Sequence, residues 1–303
     1  MRDISKALRV RQWAKNVLLF AGFVFAGRLR TAGENVWREA ACVFLAFVCF
    51  CALSSAAYVV NDWRDIERDR QHPVKKNRPF ASGRISTRGA AGLLTASLGV
   101  ATASLLLLAR LNEAAQGFVL AALAYLLLTL AYSFALKNHV IVDVLTLAAG
   151  FVVRVVAGCL AVPVAISPWI VFCTFCVALF IALCKRRAEL LELGSASPTR
   201  GVLAAYSVEI LDPFIAVAAG LTITAYSLYT FNSPRSTALS ATWHDTPVMM
   251  ATIPFVVYGV FRYLLLAHST AVGGEPENML RDVPFMVNVM LWAVLAAALT
   301  LLS

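Results

Sequence analysis

The chain has 303 residues, of which 60% are hydrophobic and 14% charged, and its mean hydropathy is +0.76. This composition excludes a soluble globular protein, because the chain contains several apolar runs of about 20 residues, each long enough to cross a bilayer. The formal net charge of +9 suits anionic lipids and anionic substrates, and no nucleic-acid partner is expected because the basic residues follow the loops between apolar runs. We therefore expect an all-α integral membrane protein in contact with membrane lipids.

Nine apolar runs predict nine transmembrane helices within one domain that covers residues 1–303. Helices are expected because the runs lack the apolar-polar alternation of membrane barrel strands, and because several prolines fall at run ends, where a helix tolerates them. The predicted spans are 16–30, 38–60, 88–109, 114–134, 140–162, 168–184, 209–230, 247–267 and 284–302.

Basic residues orient these predicted spans. Nineteen of the 26 Lys and Arg residues lie on the side of the N-terminus and of the loops after the second and sixth spans, and five lie on the other side. Because cytoplasmic loops are enriched in Lys and Arg, we expect a multi-pass protein of the inner (plasma) membrane whose N-terminus and motif loops face the cytoplasm.

An acidic motif, Asn61-Asp62-x-x-Asp65-x-x-x-Asp69, ends the second predicted span. If the helix continues through it, Asn61, Asp65 and Asp69 lie at i, i+4 and i+8 and share one face. Oxygen ligands at the membrane boundary suit Mg²⁺, which in turn suits a diphosphate. The basic segment that follows, including Lys75, Lys76 and Arg78, suits direct binding of phosphate oxygens. The alternative is a solvated charged loop that only orients the protein.

Two isolated charges, Asp143 and Arg154, lie in or near the fifth span. They are eleven residues apart, about three helical turns, and so share a face. Ionisable residues inside a membrane are functional candidates by default, and the alternative is a structural ion pair between helices. Small residues such as Gly150 and Gly158 allow close helix packing, either within the bundle or between the copies of a homo-oligomer.

A second charged cluster, Lys185-Arg186-Arg187-Ala188-Glu189, closes the sixth span on the same side as the acidic motif. Besides this cluster and the acidic motif, three more stretches carry a family resemblance. They are Leu8-Arg9-x-Arg11-Gln12-Trp13-x-Lys15-Asn16, Tyr132-Ser133-x-x-Leu136-Lys137 and Gly150-Phe151-x-x-Arg154-x-x-Ala157-Gly158. Together they resemble the UbiA-type membrane prenyltransferase superfamily, which implies a UbiA-type bundle of nine helices. Ordinary members have a second Asp-x-x-x-Asp cluster where this chain has Lys185, Arg186 and Glu189, and this departure favours a donor with an additional phosphate group.

The resemblance implies a Mg²⁺-dependent transferase of cell-wall arabinan precursor synthesis. It would move a 5-phosphoribosyl group from phosphoribosyl diphosphate to a polyprenyl phosphate and release diphosphate. We assign Mg²⁺ to Asn61 and Asp65, and a catalytic role to Asp62, Asp65 and Asp69. The expected substrate-binding residues are Lys15, Asn16, Tyr58, Lys75, Lys76, Arg78, Tyr132, Lys137, Asp143, Arg154, Lys185, Arg186 and Glu189.

Two alternative functions stay open. One is an aromatic polyprenyltransferase of the same superfamily, for which we would expect the second acidic cluster that this chain lacks. A lipid or ion transporter would use the intramembrane charges, but it would leave the acidic motif unexplained.

Overall fold

A computed structural model describes residues 2–26, 28, 33–71, 75–112, 115–193, 203, 205–231, 248–268, 279 and 281–302. Within these ranges the regular structure is helical, and no strand occurs. The α-helices are α1 (Arg2–Ala7), α2 (Phe20–Phe25), α3 (Val36–Arg64), α4 (Ile66–Arg70), α5 (Thr87–Leu111), α6 (Gln116–Phe134), α7 (Val142–Leu160), α8 (Pro168–Leu193), α9 (Val208–Phe231), α10 (Ile253–His268) and α11 (Val283–Leu302). Short 3₁₀ helices cover Val10–Leu19, Gly33–Asn35, Lys75–Asn77, Leu136–Asn138 and Val248–Thr252.

The all-α membrane class is confirmed, whereas the count of nine spans is not. In the described part of the chain, seven helical segments are long and apolar enough to cross a membrane, and Val283–Leu299 is a shorter apolar helix. The first predicted span is instead the 3₁₀ helix Val10–Leu19 followed by the six-residue α2. Its apolar stretch, 17–26, lies between Asn16 and Arg28 and is about half as long as the ~20 residues that a spanning helix needs.

The chain divides into two compact units. Unit 1 comprises Met1–Lys137 and Gly150–Ile166, and unit 2 comprises Asn138–Ala149 and Ser167–Ser303. Helix α7 therefore contributes its first turns to unit 2 and the remainder to unit 1. The single domain expected from the sequence stays a prediction.

Helix α3 lies at the centre of unit 1. It is apolar around its circumference, as a helix that is buried on several sides must be, and it packs against α5, α6 and the 3₁₀ helix Val10–Leu19. The ring of Phe50 lies 4.9 Å from that of Tyr125 and 5.9 Å from that of Phe118. This packing fixes α3, and so fixes the acidic motif at its C-terminal end.

Helices α8, α9 and α10 and the start of α7 form the core of unit 2. Within it, the rings of Phe180 and Tyr263 lie 5.2 Å apart. Arg262 of α10 donates to both carboxylate oxygens of Asp282, at 3.1 and 2.8 Å, and Asp282 accepts from the backbone N–H of Phe285 in the first turn of α11. These hydrogen bonds from Arg262 hold the pKa of the Asp282 carboxyl below its ordinary value.

Gly158 of α7 permits a close backbone approach inside unit 1. A Cβ atom at this position would lie 2.0 Å from the carbonyl oxygen of Leu19, so this glycine serves packing within the unit. We expect Gly158→Ala to lower the unfolding temperature, because the Leu19 backbone must move and overpacking costs roughly 1–3 kcal/mol. Circular dichroism of the detergent-solubilised protein would measure the change.

Gly220→Ala in α9 is the matched control for this prediction. It makes the same change within a helix, but no atom lies within 4 Å of the added Cβ. Its unfolding temperature should stay the same or rise, since Ala has the higher helix propensity. Equal stability of the two variants would contradict the close approach at Gly158.

Candidate active site

The acidic motif lies where α3 ends, and the structure divides its four polar residues into two pairs. Helix α3 ends at Arg64, a turn follows at Asp65, and α4 begins at Ile66. Asn61 and Asp65 contact Lys137, whereas Asp62 and Asp69 contact Arg78. Asp69 thus joins Asp62, and the single face expected from a continuous helix is interrupted by the turn at Asp65.

The first pair holds the ammonium group of Lys137. The Lys137 Nζ atom lies 3.0 Å from Asp65 Oδ2 and 3.5 Å from Asn61 Oδ1. The ion pair is largely buried, with exposed side-chain fractions of 10% for Lys137 and 18% for Asp65. Arg64 secures the neighbouring end of α6, because it donates to the carbonyl oxygen of Ser133 at 2.9 Å.

Arginines neutralise the second pair. The Arg9 guanidinium donates to both oxygens of Asp62, at 2.6 and 3.3 Å, and it lies 4.6 Å from the centre of the Tyr58 ring. Arg78 Nη1 lies 3.1 Å from Asp62 Oδ1 and 2.7 Å from Asp69 Oδ2. Both carboxylates are buried, where a charge is tolerated only with a partner. This network therefore ties the N-terminal segment and the segment after α4 to the end of α3.

The oxygens of Asn61 and Asp65 fit a divalent cation. Both already contact a cation, the Lys137 ammonium, and amide and carboxylate oxygens are the ligands that Mg²⁺ prefers. Within the described residues, no group of three or more His, Cys, Asp or Glu side chains could hold a metal. With these two oxygens as protein ligands, substrate phosphates and water would complete the coordination of Mg²⁺, an arrangement that is common for this ion.

A second polar group of unit 1 surrounds Arg154. This arginine is 7% exposed, and it donates to Asn16 Oδ1 at 2.8 Å, to the Tyr125 hydroxyl at 2.7 Å and to the Gly150 carbonyl at 2.7 Å. Ser54 extends the group through a hydroxyl contact with Tyr125 at 3.0 Å. No carboxylate in the described ranges forms an ion pair with Arg154, so its charge is not neutralised there.

Asp143 lies in unit 2, and its partner is Arg186 of α8. Arg186 Nε donates to Asp143 Oδ2 at 2.7 Å, and the same guanidinium bonds to Glu189. The Tyr206 hydroxyl donates to Asp143 Oδ1 at 2.9 Å and accepts from the backbone N–H of Ile141 at 2.7 Å. The Asp143 and Arg186 side chains are 0% and 2% exposed. Arg186 is thus bonded to two carboxylates, which favours a positioning role for it.

Tyr206 also supports a strained backbone position. Ile141 has a φ of +67°, in the left-handed region that a β-branched residue rarely adopts, and its N–H bonds to the Tyr206 hydroxyl. Burial raises the pKa of Tyr206 further above neutral, to about 12, and the protonated hydroxyl donates to Asp143. Tyr206 therefore fixes both the start of α7 and the orientation of Asp143.

The other predicted site residues lie at several places. Lys15, Tyr58, Tyr132 and Lys185 are half-buried, and Lys76 is exposed. The side chain of Lys75 lies outside the described part of the chain. Sequence reasoning missed three residues that organise these groups, namely Arg9, Tyr125 and Tyr206. A tyrosine within or beside an apolar run gives no sequence signal beyond ordinary packing, and the sequence placed Arg9 in a basic segment that resembles the family without indicating its contact with Asp62.

This helical membrane fold groups amide and carboxylate oxygens at the end of the buried helix α3. The chain belongs to the UbiA prenyltransferase family, which matches residues 18–271, and the resemblance predicted from the sequence is confirmed.

Two curated relatives and one solved structure refine this assignment. The chain is 33% identical to the decaprenyl-phosphate phosphoribosyltransferase of Mycolicibacterium smegmatis, over 95% of this chain and 89% of that protein. It is 32% identical to the enzyme of the same name from Corynebacterium glutamicum, over 95% and 83%. A UbiA homolog from Archaeoglobus fulgidus, bound to GPP and Mg²⁺, shares the fold with a TM-score of 0.68 at 18% identity, over 98% and 99% of the two chains.

Proposed function

We propose that this protein transfers a 5-phosphoribosyl group from phosphoribosyl diphosphate to a polyprenyl phosphate and releases diphosphate. Support comes from near-full-length similarity to relatives named decaprenyl-phosphate phosphoribosyltransferase. One structural observation carries the proposal. Unit 1 contains amide and carboxylate oxygens that contact a lysine ammonium, and it also contains a buried guanidinium that has no carboxylate partner among the described residues. Such a unit suits a substrate that carries both a metal-bound diphosphate and a further phosphate.

The residues of the acidic motif take separate roles in this proposal. Asn61 and Asp65 would hold Mg²⁺, which when bound neutralises charge on the diphosphate leaving group. Lys137 contacts the same oxygens, so its ammonium group is placed to bind a donor phosphate. Asp62 and Asp69 act as positioning residues through their arginines.

The remaining site residues are assigned by unit. In unit 1 we propose Lys15, Tyr58, Lys75, Lys76, Arg78 and Tyr132 as contacts of the donor. In unit 2, Asp143, Arg186 and Glu189 form one bonded group, to which we assign the positioning of substrate-binding residues such as Lys185.

No general base is required for the proposed transfer. A phosphate oxygen of the lipid is already anionic, and it forms the new bond to ribose C1 as the bond from C1 to the diphosphate oxygen breaks. Buried cations stabilise the phosphates during this exchange more strongly than exposed cations would, because the surroundings have a low dielectric constant.

We place the protein in the inner membrane with the acidic motif facing the cytoplasm. The basic residues on that side support the orientation, and a soluble, highly charged donor would reach the site without crossing the bilayer. The product would serve cell-wall arabinan precursor synthesis, as the family resemblance implies.

A direct assay tests the proposed reaction. Purified protein is incubated with phosphoribosyl diphosphate labelled in the ribose ring, a polyprenyl phosphate and Mg²⁺, and the organic phase is counted. We expect label in the organic phase that depends on the lipid and disappears with EDTA. Transfer of a prenyl group from a prenyl diphosphate to an aromatic acid, without ribose transfer, would favour the aromatic polyprenyltransferase instead. A transporter would move substrate across vesicles without breaking a bond.

A further inference from the structure

Arg154 differs from the other deeply buried arginines in the chemistry of its partners. Its three hydrogen bonds go to an amide oxygen, a phenol and a backbone carbonyl, all of them uncharged. Arg186, which is buried to a similar degree in unit 2, bonds to the carboxylate of Asp143 at 2.7 Å. A buried charge without an opposite charge is unfavourable, so its presence points to an anion that is a ligand.

The surroundings of Arg154 hold its guanidinium in one orientation while leaving donors available. A guanidinium has five N–H groups, and three of them are used in the bonds within the described structure. The ring of Tyr125 lies 4.6 Å and that of Phe151 5.3 Å from the guanidinium carbon. Asn16 is fixed in turn by contacts with Cys51 and Ser54 of α3. Such a preorganised fork suits a phosphate, whose oxygens accept two parallel hydrogen bonds.

The group lies deeper in unit 1 than the acidic motif. Ser54, which contacts both Asn16 and Tyr125, precedes Asn61 by two turns of α3, a rise of about 10 Å. One phosphate group does not bridge that separation. The anion at Arg154 is therefore a different phosphate from the one next to Asn61 and Asp65.

We propose that Arg154, Asn16 and Tyr125 form a binding site for a phosphomonoester dianion. The assignment rests on the proposed function, in which each substrate carries one phosphomonoester: the 5-phosphate of the donor and the head group of the lipid acceptor. Arg154 contacts the phosphate, and Asn16 and Tyr125 orient the guanidinium.

Thermal unfolding with two probes tests the site and identifies the source of the phosphate. The detergent-solubilised protein is heated with ribose 5-phosphate or with farnesyl phosphate, and with ribose and farnesol as the matched compounds without phosphate. We expect one phosphomonoester to raise the unfolding temperature, and Arg154→Met to weaken its binding about tenfold or more, as loss of hydrogen bonds from a charged group implies. Stabilisation by ribose 5-phosphate would assign the site to the donor, and stabilisation by farnesyl phosphate would assign it to the acceptor.

Arg262→Met is the control. It removes an arginine that is paired with Asp282, so it should lower stability without weakening probe binding. If Arg154→Met fails to fold, Arg154→Lys replaces it in the test. Arg154→Lys keeps the charge but removes the planar fork, and it should weaken binding of the probe several-fold.

The two proposals fail in different ways. A parent protein that transfers label, with probe binding unchanged in Arg154→Met or Arg154→Lys, overturns the phosphomonoester site alone. A parent that binds a probe through Arg154 but transfers no label overturns the proposed reaction alone. The proposed phosphomonoester site is also overturned if neither probe raises the unfolding temperature of the parent protein.

Discussion

Replacing Asp65 with Asn should reduce Mg²⁺-dependent transfer by about 10³-fold or more while leaving the helices intact. Asp65 is the carboxylate of the motif whose charged partner is a lysine and not an arginine. The substitution keeps the shape of the side chain but removes the charge that would hold Mg²⁺. Loss of a Lewis acid that stabilises a leaving group costs several kcal/mol of barrier, and each 1.36 kcal/mol corresponds to a factor of about ten. A Mg²⁺ titration of label transfer, with circular dichroism of the same sample, would measure both effects.

Asp69→Asn is the matched comparison within the same motif. Asp69 bonds to Arg78 at 2.7 Å, so its loss should loosen the segment after α4 and act on stability and on KM more than on the dependence on Mg²⁺. Direct binding of Mn²⁺, followed by electron paramagnetic resonance, should weaken in Asp65→Asn and change little in Asp69→Asn. If Mn²⁺ binding weakened equally in both variants, the separate roles of the two pairs in the motif would be wrong.

The membrane class and the place of the acidic motif could be predicted because both depend on local sequence. An apolar run of bilayer length has few alternatives to a helix, and a cluster of acids at its end stays at that end however the helices pack. The short first span could also have been recognised, since the apolar stretch 17–26 is bounded by Asn16 and Arg28.

The division of the acidic motif could not be predicted, because it depends on residues that are distant in sequence. Arg9 reaches Asp62 across 53 positions, and Lys137 reaches Asp65 across 72. Asp143 and Arg154 both lie on α7, as their spacing predicted. Their partners could not be predicted, because Asp143 bonds to Arg186 of α8 and Arg154 bonds to Asn16. Helical periodicity reports which residues share a face, and it does not report which helix packs against that face.

Replacing Arg186 with Met should destabilise unit 2 by about 3–5 kcal/mol. Asp143 is fully buried, and removal of one partner of a buried ion pair leaves the other charge uncompensated. Tyr206 would still donate to Asp143, but one neutral hydrogen bond does not replace a guanidinium. The apparent unfolding temperature and the denaturant midpoint of the purified protein would report the loss.

Arg187→Met tests the same change one residue further along α8. Arg187 bonds to Asp212 at 2.6 Å, but the Asp212 side chain is 41% exposed. After the substitution water can solvate the Asp212 carboxylate, so the expected loss is about 0–1 kcal/mol, as for other partly exposed pairs. The double variant Asp143→Asn with Arg186→Met should recover most of the stability lost in Arg186→Met, because it removes both charges of the buried pair. Two results would contradict this role of the buried pair in fixing the start of α7 against α8. One is equal stability of Arg186→Met and Arg187→Met. The other is a double variant that is less stable than Arg186→Met alone.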